Sequence, residues 1–242
     1  MEIIAHRGGS FGKENSLETI IASARMGAYA VECDIRKTSD GVYVIYHDDD
    51  LSRLAGVPSK VSSSTYSKMQ EYHEKNGLKV LTFEELKNGY KEKTPILLHV
   101  KLTDYDMDFA KYVCESGLPI IVGVMSIDML KCFAAFLPPE RILAFLPDYD
   151  MAEEFYLNGA GIIRLWEQWL IKITPSDIKK ICPKAKVFIM ACSLPFGAPS
   201  KDITLETMNG SIPSLEKCKE LGADAVLLND IDMAFEWKKG ID

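Results

Sequence analysis

The sequence predicts a (β/α)8 TIM barrel, and three observations carry that expectation. Short aliphatic or β-branched runs alternate with amphipathic segments bounded by helix start and stop signals along most of the chain. Eight such strand-then-helix units fit within the 242 residues, a length suited to one barrel. No linker, low-complexity tract or repeat of about 20–50 residues divides the chain. The expected organisation is therefore a single barrel domain over 1–242. An open doubly wound sheet is the second architecture that the same alternation allows.

The elements follow in order. Ile3–His6 reads as the first strand, and Leu17, Ile20, Ile21 and Ala24 share one face of a helix over Leu17–Met26 that Gly27 closes. Ala30–Ile35 is the second strand. Val42–His47 is also strand-like, but it follows across only Lys37-Thr38-Ser39-Asp40-Gly41. A parallel crossover needs roughly a dozen residues, so this pair must be an antiparallel hairpin turned at Asp40-Gly41, a β-hairpin extension of strand two. Leu51–Tyr90 then forms a small insertion, at about 51–90, with a Thr82-x-x-Glu85 capping box. Ile96–Lys101 is the third strand, with Asp104 capping a helix that Gly117 ends. Pro119–Gly123 leads to a helix from Ser126 that stops at Pro138, and Arg141–Phe145 leads to one near Met151–Leu157. Gly161–Leu165 precedes a helix opened by Thr174-Pro175. Lys186–Ala191 precedes the long loop Ser193–Ile212 and a helix over Ser214–Leu221. Asp224–Leu228 and a short terminal helix finish the series.

Composition bounds the partners. Lys+Arg total 28 against 35 Asp+Glu, a net charge of −7, which argues against nucleic acid or an anionic membrane surface as the main partner. The cysteines at 33, 114, 132, 182, 192 and 218 form no C-x-x-C pair, a pattern of free thiols in a reducing compartment. Met-Glu-Ile-Ile-Ala-His-Arg-Gly is not a signal peptide. The longest apolar stretch, around Pro119–Met125, falls far short of the ~18 residues a membrane span needs. A cytoplasmic location is expected.

A barrel of this kind works at the C-terminal ends of its strands. The polar residues there are His6 and Arg7 on strand one, Glu32 and Asp34 on strand two, and His99 and Lys101 on strand three; the hairpin returns His47 to the same rim. Alternation aims Glu32 and Asp34 to one side, with Cys33 opposite, and pairs His99 with Lys101. Two carboxylates in one mouth repel unless a cation or proton lies between them. Taken singly, each of these is more often a structural or solvated residue. Together they point to a metal-assisted reaction on an anionic substrate, because histidines exchange protons near neutral pH and arginine grips phosphate.

At these residues the chain resembles the glycerophosphodiester phosphodiesterase family. The matching pieces are Ala5-His6-Arg7-Gly8, Glu14-Asn15-Ser16, Glu32-Cys33-Asp34, Asp40-Gly41 and His47-Asp48, with Leu51 and Arg53. The family's order is His-Arg-Gly, Glu-Asn-Thr, Glu-x-Asp, Asp-Gly and His-Asp. The match is dense over residues 3–53 and sparse beyond. The resemblance implies metal-dependent hydrolysis of a small-molecule glycerophosphodiester to glycerol 3-phosphate and an alcohol. It implies His6 and His47 as the acid–base pair, Glu32 and Asp34 as ligands of Mg²⁺ or Ca²⁺, and Arg7 against the phosphate. Attack by water and attack by a neighbouring glycerol hydroxyl both stay open.

Departures from the family pattern qualify this. Strand three of the family usually reads Glu-x-Lys, the Glu being a further metal ligand and the Lys lying near the phosphate; here it reads His99-Val100-Lys101. An imidazole ligand would tilt the site toward Mn²⁺ or Zn²⁺. Met190-Ala191-Cys192-Ser193 and Leu228-Asn229-Asp230 stand where the family has Trp-Thr-x-Asn and a Thr before the Asp. Trp166, Glu167 and Trp169 either hold a choline-like quaternary ammonium or pack a hydrophobic lid or an oligomer contact. His73 reads as a surface residue of the insertion. Two rivals accompany the main reading: a non-catalytic glycerophosphodiester-binding barrel, and a Schiff-base lyase using Lys101.

Overall fold

The computed structural model describes residues 1–103, 105–195 and 197–241. Eight parallel strands define the frame: β1 (Glu2–Ala5), β2 (Ala30–Lys37), β3 (Ile96–Val100), β4 (Ile120–Val124), β5 (Ile142–Phe145), β6 (Ile162–Trp166), β7 (Lys186–Met190) and β8 (Ala225–Leu228). Each pairs with its successor, and β8 pairs with β1 through Ala5↔Leu228, so the sheet closes. Closure decides for the (β/α)8 barrel over the open sheet. It also makes the first and last strands neighbours, which sets up the site.

Side chains alternate across this closed sheet and produce two cores. Ile4, Ala30, Leu97, Ile121, Leu143, Ile162, Phe188 and Leu227 point inward and fill the barrel floor. Ile3, Val31, Leu98, Val122, Ile163, Val187 and Val226 point outward and pack against the helices. The alternation continues upward, so the next inward positions are Glu32 and Asp34 on β2, His99 on β3, Phe145 on β5 and Arg164 on β6. The floor is therefore apolar and the mouth charged.

The helices start where local chemistry dictates. Ser16 accepts the Thr19 N–H and caps Leu17–Met26, and Gly27, at φ 100°, closes it in the left-handed region that glycine favours. Thr82/Glu85 and Thr174/Asp177 form reciprocal capping boxes, each cap contributing about 1 kcal/mol. Asp104, expected to cap the helix after β3, lies outside the described residues; Asp106 caps Met107–Cys114 through the Phe109 N–H.

Beyond the barrel rim, Tyr43–Ile45 runs antiparallel to Ile35–Lys37, as the short connection requires. Gly41, at φ 83°, makes the turn, and Asp40 accepts from both Thr38 Oγ1 and the Tyr66 N–H, tying the hairpin to the insertion. The insertion carries the helices Tyr66–Glu74 and Phe83–Gly89 and a small core of Val44, Tyr46, Leu51, Val61, Met69 and Val80. His73 corrects the sequence reading: it is buried in this core, not at the surface. Its Nδ1 lies 2.7 Å from the Met69 carbonyl and its Nε2 lies 3.2 Å from the Tyr46 hydroxyl. A charged-looking helix hides one inward histidine because the insertion's core is too small to print a long apolar stripe.

Candidate active site

The site begins in the turn that leaves β1. The first strand ends at Ala5, one residue before the expected boundary, and His6–Gly8 forms a tight 3-10 turn. Arg7 sits in the left-handed region at φ 50°, which swings its backbone N–H onto Glu32 Oε2 at 2.8 Å. Gly8 follows at φ 91°, where a Cβ would collide with Thr19 Oγ1. The turn thus needs a glycine so that the histidine can face the mouth while the backbone grips the carboxylate.

His6 Nδ1 lies 2.7 Å from Asn229 Oδ1. Asn229 Nδ2 donates to the Leu205 carbonyl at 2.7 Å, so Oδ1 is the atom turned to His6 and the imidazole proton resides on Nδ1. The other nitrogen, Nε2, faces Glu32 at 3.9 Å. Burial, with help from the Arg7 charge, pushes the His6 pKa well below its ordinary value. The residue is a neutral base with a free lone pair in the cavity.

His47 is built the same way from different parts. Its Nδ1 lies 2.7 Å from Asp48 Oδ1, leaving Nε2 as the free nitrogen. Asp48 Oδ2 accepts Arg53 Nε at 2.7 Å, Arg53 holds both oxygens of Glu14, and Glu14 Oε2 accepts Arg7 Nη1 at 3.3 Å. This chain of alternating charges runs from His47 to Arg7 and fixes both. Burial lowers the His47 pKa, against the opposing hydrogen bond to Asp48.

Between the histidines stand Glu32, Asp34 and His99, whose ligand atoms all lie within 4.8 Å of one another. Asp34 Oδ2 accepts Asn15 Nδ2 at 3.1 Å, and Asn15 Oδ1 receives the Asp34 N–H at 3.2 Å. Lys101 Nζ approaches Asp34 Oδ1 at 3.1 Å and His99 Nδ1 approaches the same oxygen at 3.3 Å. Burial alone would raise the Asp34 pKa, but the Lys101 ammonium and the His99 contact outweigh it and hold the carboxyl well below the usual range. Glu32 moves the other way, raised by burial and by its neighbour Asp34. Burial pushes His99 down to about 3, so it is a neutral imidazole.

A divalent cation fits this set. Glu32 Oε1 is buried without a hydrogen-bond partner among the described residues and faces His99 Nδ1 at 3.7 Å, and orphaned buried acceptors of this kind are rare in native proteins. Two carboxylates and one neutral imidazole are the donor types that hold hard to intermediate cations. His99 is held in place by stacking on Phe145, ring centroids 3.8 Å apart. Gly123, between them on β4, leaves room for that ring, since a Cβ there would strike Phe145.

All seven residues singled out in the sequence lie in this mouth. One cavity of about 910 Å³ is lined by His6, Arg7, Glu32, His47, His99 and Lys101, and Asp34 is buried just behind it. The Trp166–Glu167–Trp169 group does not assemble an ammonium cage. The Arg164 guanidinium already covers the Trp166 ring, with Cζ 4.2 Å from its centroid, and Glu167 is buried with Oε2 on the Cys192 N–H. Contributors with no assigned role in the sequence include Glu14, Asn15, Asp48, Arg53, Asn229 and Arg164. The first four were visible as motif residues. Asn229 stood out only as a departure at the end of strand eight.

The fold and the site together define a (β/α)8 barrel whose mouth pairs two neutral histidines with a carboxylate–imidazole cluster suited to a cation. The description "Glycerophosphoryl diester phosphodiesterase family" matches residues 6–132, and the chain belongs to that family. It is 36% identical over 201 residues to the mouse lysophospholipase D GDPD3, covering 74% of this chain and 60% of that protein. It is 41% identical over 69 residues to the rat glycerophosphodiester phosphodiesterase 1, covering 28% of this chain and 21% of that one. The matches thus span less than two thirds of these relatives' own length. A crystal structure of a glycerophosphodiester phosphodiesterase from Parabacteroides distasonis superposes with a TM-score of 0.74 over 100% of this chain and 98% of that one, at 19% identity. At that identity the likeness speaks for the fold.

Proposed function

We propose that this protein hydrolyses glycerophosphodiesters to glycerol 3-phosphate and an alcohol, with a divalent metal ion held by Glu32, Asp34 and His99. The observation that supports the reading is that His6 and His47 line one cavity with Glu32 and His99, which cluster with the buried Asp34, each histidine having its Nδ1 fixed to an oxygen and its Nε2 free. Such a pair suits a displacement in which one neutral imidazole takes the proton of the attacking hydroxyl at Nε2, while the other, having first taken up a proton at Nε2, gives it to the leaving alkoxide and returns to the neutral form. Arg7 and Lys101 bind the phosphate. A bound Mg²⁺, Ca²⁺, Mn²⁺ or Zn²⁺ would supply charge neutralisation at the phosphoryl oxygens. The geometry is compatible both with water and with a neighbouring glycerol hydroxyl as nucleophile.

Binding without turnover, the chief rival, leaves the two free Nε2 atoms without a purpose. The lyase reading is disfavoured because Lys101 is an ion-pair partner of Asp34. The same reading places the protein in a reducing, cytoplasmic compartment, supported by six free cysteines; no helix among the described residues is long and apolar enough to cross a membrane. Replacing His6 or His47 by Ala tests the central assignment. Each substitution should lower kcat by about 10²–10⁴-fold while the melting transition stays cooperative, and near-normal turnover in either variant removes that histidine from the chemistry.

A further inference from the structure

The half of the mouth opposite the carboxylates contains one charge that the reaction above does not use. Arg164 is the second inward residue of β6, between Ile162 on the floor and Trp166 at the rim. Its side chain is buried, 5% exposed, and lines the same cavity as His6 and His99. The guanidinium lies against two rings, with Cζ 5.0 Å from the Phe145 centroid and 4.2 Å from that of Trp166. Two of its in-plane donors, Nε and Nη1, are buried and have no hydrogen-bond partner among the described residues.

Rings satisfy the faces of a guanidinium but not its N–H groups, which want a planar or tetrahedral anion in the same plane. Among the described residues no carboxylate fills that role. Glu167, three residues along, is turned onto the Cys192 N–H. Glu32 favours the charge from a distance, but its Oε2 is taken by the Arg7 N–H and it belongs to the cation cluster. Burial opposes the charge, yet arginine stays protonated in proteins. A buried unpaired cation of this kind is costly unless a ligand completes it.

The position says which part of a substrate would do so. In strand order His99 is on β3, Phe145 on β5 and Arg164 on β6, and the Phe145 ring reaches back across Gly123 to stack on His99. An aromatic ring therefore stands between the cluster where the transferred phosphate is held and Arg164. The neighbouring wall is apolar, with Trp166, Met190 and Met208, so among the described residues the guanidinium is the polar hold beside it.

We propose that Arg164 forms an anion subsite for the alcohol portion of the substrate, so that this protein favours phosphodiesters whose alcohol carries its own carboxylate or phosphate over those with a neutral or cationic alcohol. The inference rests on the phosphodiesterase reading and names the substrate class within it. It also replaces the ammonium site that was one of the two readings of Trp166, Glu167 and Trp169, because the cation on the Trp166 ring belongs to the protein.

The test uses two ligands alike except for one group, glycerophosphoglycerol and its analogue in which the leaving glycerol is oxidised to glycerate. Calorimetric binding to the His47→Ala protein in the presence of Mg²⁺ or Mn²⁺ reads affinity without turnover. The carboxylate ligand should bind roughly 10–100-fold more tightly, the range expected for a hydrogen-bonded charge pair. Adding Arg164→Met should collapse that ratio toward one. Equal affinities in the parent, binding of neither ligand, or a ratio that survives Arg164→Met would each overturn the subsite. Should Arg164→Met fail to fold, Arg164→Lys replaces it, keeping the charge but losing the fork, and the ratio should still fall several-fold. Turnover of any glycerophosphodiester by the unsubstituted protein is measured separately, so loss of the activity reading and loss of the subsite are told apart.

Discussion

Asn229 Oδ1 and His6 Nδ1, 223 residues apart in the chain, lie 2.7 Å from one another across the seam where the barrel closes. The contact follows from the Ala5↔Leu228 register, which places the residues after β1 and β8 side by side. Asn229 is itself anchored on the Leu205 carbonyl within the long loop. It therefore fixes the His6 tautomer without touching the reacting atoms. Asn229→Leu should lower kcat about 10–100-fold, as loss of an orienting partner does, while the metal concentration for half-activity stays put. Asn229→Asp should restore part of the rate by keeping the acceptor. Equal loss in both variants would assign Asn229 to packing alone.

Asp48 holds His47 as Asn229 holds His6, but through a carboxylate backed by Arg53 and Glu14. Asp48→Ala should cut kcat by about 10–100-fold. Arg53→Ala should have a smaller effect of the same kind, because Asp48 keeps its contact to His47 when its outer partner is removed. Steady-state kinetics of the two single variants and the double variant provide the check. Effects that simply multiply would show that the residues act independently and not in series.

His99 stands where the family pattern has a carboxylate, and its neutral imidazole makes the proposed ligand set one charge poorer. After chelation, Mn²⁺ or Zn²⁺ should restore activity at lower concentration than Mg²⁺ or Ca²⁺. His99→Glu should reverse that order toward the oxygen-preferring ions. Metal titration of activity for both proteins decides the matter. Full activity with low Mg²⁺ in the unsubstituted protein contradicts the role given to His99.

His73 makes stability depend on pH in a direction that can be derived. Burial lowers its pKa, whereas the unfolded chain takes up the proton near its ordinary value of about 6.5. The unfolded state therefore binds more protons as pH drops, and the contribution of neutral His73 is complete above about 6.5 and fades below it. Urea midpoints measured from pH 7.5 down to 5 should fall more steeply in the unsubstituted protein than in His73→Phe. Equal slopes would mean that His73 is protonated inside the folded insertion.

Much of the site was legible because its parts are local. Glu32 and Asp34 are two apart on one strand, so alternation alone aims both inward, and the short gap from Ile35 to Val42 forces the hairpin that returns His47. What was hidden depends on register or on small cores. The expected barrel put strand eight beside strand one, but nothing in Leu228-Asn229-Asp230 states the Ala5↔Leu228 register that sets Asn229 against His6, so Asn229 could be noticed but given no role. An inward arginine within Ile162–Trp166 looks like any strand residue until the opposite walls are in place. His73 sits on a mostly polar helix, and only the hairpin packed against it reveals that it is buried.

The most direct test of the whole account follows the phosphorus. A glycerophosphodiester incubated with the metal-loaded protein is monitored by ³¹P NMR, alongside chelator-treated protein and the Glu32→Gln variant. The account predicts that the diester resonance is replaced by that of glycerol 3-phosphate, and that chelation or Glu32→Gln slows the conversion by at least about 10²-fold, in line with loss of metal charge stabilisation. A diester signal that persists with Mg²⁺, Ca²⁺, Mn²⁺ and Zn²⁺ alike, or conversion indifferent to chelator and to Glu32→Gln, would contradict it.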